Sequence, residues 1–105
     1  SMKPRGRPKK RRLVQKEPQI RHYSPRGKPG RPDEIALGLD QFEALRLADY
    51  QSLSQKEAAK SMGISQQTFS RILKKARQAV ADAMVNGKII LIQSNDYVIS
   101  EKSVV

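Results

Sequence analysis

Between residues 39 and 86 the apolar positions recur every three or four residues, the spacing of helix faces. In LDQFEALRLADY (39–50), Phe42, Leu45 and Ala48 fall at i, i+3 and i+6, with Leu39 ahead of them and Leu47 beside. That predicts a helix with one apolar face, opened by Asp40 as N-cap and Glu43 three residues on, a capping box. SQKE (54–57) is a second box, with Ser54 as cap and Glu57 at the third position, and Ala58, Ala59 and Met62 form a short stripe behind it. Gly63 stands where a helix C-terminus favours a left-handed residue. Ser65 caps a third helix, on which Phe69, Ile72, Leu73, Ala76, Val80, Ala83 and Met84 follow the same period. It runs to a stop at Asn86-Gly87, a rod about 30 Å long at 1.5 Å per residue.

Beyond Gly87 the pattern changes. KIILIQSNDYVIS (88–100) holds a continuous apolar run from Ile89 to Ile92, a Ser94-Asn95-Asp96 turn cluster, and a return over Tyr97, Val98 and Ile99. This predicts a β-hairpin. A lone hairpin is marginal in water, so the tail needs a partner. The choices are the distal stripe of the third helix, the Leu13-Val14 segment, or another subunit. A homodimer formed by this tail is the expectation, since helix-turn-helix proteins commonly bind as two-fold dimers.

The first third has neither period. Residues 1–32 contain all six prolines, 12 Lys or Arg and one acid, Glu17, for a net charge of +11. Residues 33–105 balance to zero. So much charge and proline buries too little apolar surface to offset ordering entropy, and 1–32 reads as an extended arm. Leu13, Val14, Ile20 and Tyr23 are its sizeable apolar residues and are candidates to dock locally on the body. Basic arms serve as solubilising tails or bind polyanions, nucleic acid above all. The local sequence favours nucleic acid. KPRGRPKK (3–10) sets Arg5 and Arg7 either side of Gly6, with Pro4 and Pro8 outside. Glycine lets the backbone lie close to a groove floor while the guanidiniums enter a narrow A·T-rich minor groove. The segment resembles the AT-hook of chromatin-associated proteins; Lys9, Lys10, Arg11 and Arg12 extend it, and PRGKPGRP (25–32) is a poorer echo.

A chain of 105 residues holds one small domain. Without cysteine there is no disulfide framework or thiolate metal site. No apolar run approaches 18 residues, and no apolar segment follows the charged start. A soluble, cytoplasmic protein is expected, with no membrane partner. Ser1 ahead of Met2 is expected to be a scar of tag removal. Metal binding needs clustered ligands, and His22 stands alone in the arm beside Tyr23. Asp40, Glu43 and Glu57 are explained by capping, and Asp49 reads as a surface or helix-end acid. GKPGRP does not follow a strand, so it is no phosphate cradle. No enzyme, metal or cofactor is expected.

Two helices joined by a tight glycine turn match the helix-turn-helix used on DNA. Burying Ile64, Phe69 and Ile72 leaves open the face that carries Gln66, Gln67, Ser70, Arg71, Lys74 and Lys75. Glutamine pairs with adenine edges and arginine with guanine, both in the major groove. Gln66, Gln67, Ser70 and Arg71 are therefore candidate base readers, and Thr68, Lys74, Lys75 and Arg77 candidate phosphate contacts. The arm's Arg5, Gly6, Arg7, Lys9, Lys10, Arg11 and Arg12 are candidates for the minor groove.

RGRPKKRRLV, ALRLAD, SQKEAAKSMGIS and TFSRILKKAR together resemble the domain-of-unknown-function 134 family of small prokaryotic proteins, also called uncharacterised protein family 0251. The resemblance covers most of residues 5–92. It implies a predicted DNA-binding protein with a helix-turn-helix similar to region four of bacterial sigma factors, in which Gln66, Gln67, Ser70 and Arg71 take the base-reading positions. Sigma factors place Arg and Glu where Gln66 and Gln67 stand, so their promoter specificity does not carry over.

The expected fold is mainly α: a basic arm (1–32), a three-helix helix-turn-helix domain (33–87) and a C-terminal β-hairpin (88–105). The expected function is sequence-specific binding of double-stranded DNA by a transcriptional regulator. One alternative is an architectural, nucleoid-type binder. Another is a module contacting RNA polymerase as sigma region four does. RNA is disfavoured as a partner because few aromatics are available for stacking.

Overall fold

The structure, a computed structural model, describes residues 12–94 and 97–99. In chain order it contains β1 (Arg12–Val14), β2 (His22–Tyr23), β3 (Glu34–Gly38), α1 (Leu39–Leu45), α2 (Gln55–Met62), α3 (Gln66–Asn86), β4 (Ile89–Gln93) and β5 (Tyr97–Ile99). The architecture is mixed α/β, not the expected mainly α body with an appended hairpin.

The hairpin does not form between β4 and β5. β4 is the centre of a three-stranded sheet ordered β2-β4-β3, and β5 pairs with β1 in a separate two-stranded sheet. β4 lies parallel to β3, with Ile35 opposite Ile90 and Leu37 opposite Ile92, and antiparallel to β2. The physical reason is the alternation in EIALG, where Ile35 and Leu37 share one face. That face matches Ile90 and Ile92, so β3 offers β4 a better partner than a three-residue return strand does. Parallel partners need a crossover, and here the three helices supply it.

α3 is long enough to serve two cores. Its first half buries Phe69, Ile72 and Leu73 against Ala44, Leu47, Ala58, Ala59 and Met62. Burying a Phe or Leu side chain contributes about 1.5–3 kcal/mol. Further along, Ala76 with the partly buried Ala79 and Val80 packs on Leu37, Leu39, Ile92 and Val14. Val14 has no exposed surface. The arm assigned to 1–32 is thus body from residue 12 onward, carrying β1, β2 and one residue of the core. Lys28, part of the weaker arm motif, donates from Nζ to the Asn86 carbonyl at 2.7 Å and so caps the C-terminus of α3.

The first helix begins earlier than expected. Its N-cap is Gly38, whose N–H donates to Gln41 Oε1 at 2.8 Å. Because β3 runs into α1 without a loop, Asp40 is already inside the first turn and is not the cap. Beyond Leu45 the helix continues but widens, over Arg46–Tyr50, to i→i+5 bonding, with the Gln51 N–H on the Arg46 carbonyl at 2.9 Å. Ser52 then takes a left-handed φ of 60°. The other two helices match their sequence signals. Ser54 Oγ accepts from the Glu57 N–H and Glu57 Oε1 from the Ser54 N–H, each at 3.0 Å. Gly63 and Gly87 close their helices at φ 66° and 64°.

Candidate nucleic-acid interface

Three residues separate α2 from α3, and local bonds hold the turn between them. The left-handed Gly63 lets the Ile64 N–H return to the Ala59 carbonyl at 3.1 Å. Ser65 Oγ then accepts from the Thr68 N–H at 3.0 Å, satisfying a free donor at the start of α3. With Phe69, Ile72, Leu73 and Ala76 buried, the 3.6-residue period turns the opposite side of α3 outward. Gln66, Gln67, Ser70, Arg71, Lys74 and Lys75 are all exposed there, so the structure brings together six of the eight residues expected on this helix.

The other two are held by neighbours. Thr68 is half-buried, and its hydroxyl accepts from Ser65 Oγ at 3.0 Å. Arg77 is exposed but forked onto Asp49, with Nη2 at 2.7 Å from Oδ1 and Nε at 3.1 Å from Oδ2. The hydrogen bond from Arg77 lowers the Asp49 pKa. Asp49 is therefore the anionic partner of a candidate phosphate contact, a pairing across 28 positions that local sequence does not show. Among the described residues, Arg71, Lys74 and Lys75 have no ion pair. The first acid on α3 is Asp82, which receives Lys88 and Asn86; those bonds, that from Lys88 first, lower its pKa.

Sequence pattern also missed two cations. Lys56 and Lys60 lie exposed on α2, opposite its buried Ala58, Ala59 and Met62. Their place on the polar side of that stripe was the available signal.

Of the arm candidates, Arg5, Gly6, Arg7, Lys9, Lys10 and Arg11 lie outside the described residues. Arg12 is described and is not free for a groove. Its Nε sits 3.5 Å from Asp40 Oδ2, with the side chain only 16% exposed. The described residues contain no group of three His, Asp or Glu side chains placed to hold a metal ion, and no helix among them is long and apolar enough to cross a membrane. An open groove of about 940 Å³ runs between the 16–23 segment, α1 and the sheet, floored by Leu37, Phe42, Val80, Ile90 and Ile92. Its lining holds two cations, Lys16 and Arg46, and two acids, Glu17 and Asp49, so it favours no charged ligand.

Comparison with known proteins yields one family. The family model described as "Protein of unknown function DUF134" matches residues 2–100. A UPF0251 protein of Thermoanaerobacter sp. (strain X514) is 44% identical over 97 residues, covering 91% of this chain and 86% of that one. One from Methanococcus maripaludis (strain C5) is 46% identical, covering 92% and 75%. One from Prosthecochloris aestuarii is 47% identical over 84% of this chain, which spans only 57% of that relative's length. No solved structure gives a significant match. With the family model running nearly end to end and bacterial and methanogen relatives at this identity, the chain belongs to the DUF134 family of UPF0251 proteins.

Proposed function

We propose that this protein binds double-stranded DNA sequence-specifically, as a transcriptional regulator, with α2 and α3 acting as a helix-turn-helix. The observation that carries the reading is the outer face of α3. It presents two glutamines, a serine and three cations without ion pairs among the described residues, on a helix that meets no acid before Asp82. An α-helix fits the major groove, where Gln66, Gln67, Ser70 and Arg71 reach base edges. Lys74 and Lys75, further along, contact phosphates, which position without specifying. Arg77 joins them only by exchanging Asp49 for a phosphate.

Selection of bound duplexes from a random pool tests the reading, followed by paired titrations on selected and scrambled DNA. A bidentate arginine–guanine contact is worth about 1–3 kcal/mol of discrimination. Arg71→Ala should therefore weaken the selected site by about tenfold or more and leave scrambled DNA nearly unchanged. Lys74→Ala should weaken both equally and lower the salt slope by about 1. Equal losses from Arg71→Ala on both duplexes would make it a phosphate contact and remove the base-reading role. The second reading, an architectural binder, is favoured by one fact: the whole net charge of +11 lies within residues 1–32. A bare A·T bias in the selected pool would support it over the regulator.

A further inference from the structure

We propose that the groove beside the first helix and the end of α3 form a two-fold interface, in which Met84 and Val85 of one copy seat in the groove of a second copy. The interface stands apart from the proposed DNA binding; only its consequence for the target, given last, rests on that reading.

Among the described residues five large apolar side chains are more than half exposed: Ile20, Tyr23, Tyr50, Met84 and Val85. Scattered singly they would need no explanation, but they fall in two places. Ile20, Tyr23 and Tyr50 line the groove, together with the apolar Val80 and Ile90 of its floor. Met84 and Val85 stand next to each other on the last turn of α3, 77% and 79% exposed. An apolar centre with tyrosines and a polar rim is the anatomy of a protein interface. The two places adjoin, because Val80 belongs to the groove and Met84 lies one turn further along the same side of the helix. A concave and a convex apolar patch side by side are self-complementary about a two-fold axis, which sets each Met84 into the other copy's groove.

Charge points to the same partner. A chain of net charge +11 repels its own copies. Along this surface, however, charges are matched within each copy: Arg46 by Glu43, Arg77 by Asp49, Arg21 by Glu17 and Lys88 by Asp82. Of the charged groove residues, Lys16 alone has no ion pair among the described residues. The patch therefore offers little to a polyanion and accepts an equally apolar, internally neutralised surface, which the end of α3 provides.

Sedimentation of the full chain over a range of concentrations is the test. The wild type should form a reversible dimer with a dissociation constant on the order of 10 µM, since a patch of a few side chains belongs with the small, transient interfaces. Met84→Gln combined with Val85→Gln changes a helix surface that is already wet. It should raise that constant about tenfold or more and leave the helical circular dichroism as it is. Ile20→Glu in the groove should do the same, and Tyr50→Glu takes its place if that variant unfolds. The knob and groove variants are then mixed. Each keeps what the other has lost, so a mixed pair regains one of the two seats and should associate more tightly than either variant alone. A wild type still monomeric at about 1 mM overturns the interface and leaves the groove to another occupant. A dimer that survives both variants uses another surface, and variants that fail to complement each other rule out the seat; either result overturns the proposal. On the proposed DNA reading, a two-fold dimer presents two copies of α3, so duplexes selected from a random pool should carry inverted half-sites. A single unrepeated site would overturn that consequence alone. A dimer that binds no duplex would sink the proposed function while the interface stands.

Discussion

Glu43 has no exposed surface. Removing a carboxylate from water costs several kcal/mol unless it is partnered, and this one is. Its Oε1 accepts from Arg46 Nε at 2.8 Å, while Oε2 accepts from Arg46 Nη2 at 2.9 Å and the Gln15 N–H at 3.0 Å. The hydrogen bond to Glu43 in turn raises the Arg46 pKa. Glu43→Ala would strand a mostly covered guanidinium and leave the Gln15 N–H without its carboxylate, so urea denaturation should show a loss of about 3 kcal/mol, the low end for a broken buried pair because Arg46 keeps some exposure. A loss below about 1 kcal/mol would mean that water reaches the cluster. In sequence Glu43 looks like the third residue of a capping box. The box fails because Gly38, not Asp40, opens the helix. Arg46 three residues later was the visible sign of an ion pair, but the third partner of that carboxylate is the Gln15 N–H just after β1, 28 positions away in sequence.

Among the elements, α2 and α3 were legible because their ends are written locally: Ser54 and Glu57, Gly63, Ser65 and Gly87 each act within four residues of themselves. The carboxylates at these helix ends make stability depend on pH. Asp49, Glu57 and Asp82 all have lowered pKa values, from ordinary values of 3.8, 4.5 and 3.8. For Glu57 the Ser54 N–H is the main cause. Folded, these groups bind fewer protons than unfolded, so their contribution is complete above about 4.5 and is lost as pH falls below 3.8 through the folded values. Melts followed by circular dichroism should show the midpoint falling in that range, and a midpoint flat down to pH 3 would contradict it. The Asp49–Arg77 pair links the end of the first helix to α3, yet its side chains are 43% and 54% exposed, so it contributes at most about 1 kcal/mol. Asp49→Asn should leave the fold nearly as stable while freeing Arg77. On the proposed DNA reading, the slope of log affinity against log salt steepens by about 0.9, one more phosphate contact. An unchanged slope would leave Arg77 outside the interface.

At the scale of the whole molecule the sequence was least legible, because pairing there is non-local. Nothing near Ile89–Ile92 says that its partners are Glu34–Gly38 and His22–Tyr23, or that Tyr97–Ile99 returns to Arg12–Val14. The Leu13-Val14 segment was one of three partners open to the tail, and it pairs with β5 alone. The alternation in EIALG was readable, but it sits beside a proline-rich stretch whose composition argues for an arm. The charge asymmetry, by contrast, needs no tertiary structure, and the structure divides it. Arg12 and Lys28 are committed to Asp40 and the end of α3, which leaves Lys3, Arg5, Arg7, Lys9, Lys10 and Arg11 as the cations of segment 1–11. Six phosphate contacts at about 0.9 each would account for roughly 5 units of salt slope. Extended chains seldom place every cation on a phosphate, so removing residues 1–11 should lower the slope by about 2–4. Phosphate contacts position without specifying, so the affinity lost should be the same on selected and scrambled duplex, whereas Arg71→Ala should lower only the first. Isotherms at several salt concentrations on both duplexes make the comparison. A larger loss on A·T-rich DNA than on other sequences would move the arm from backbone to minor groove. A slope that does not change would make residues 1–11 a solvated tail and leave α3 to bind alone.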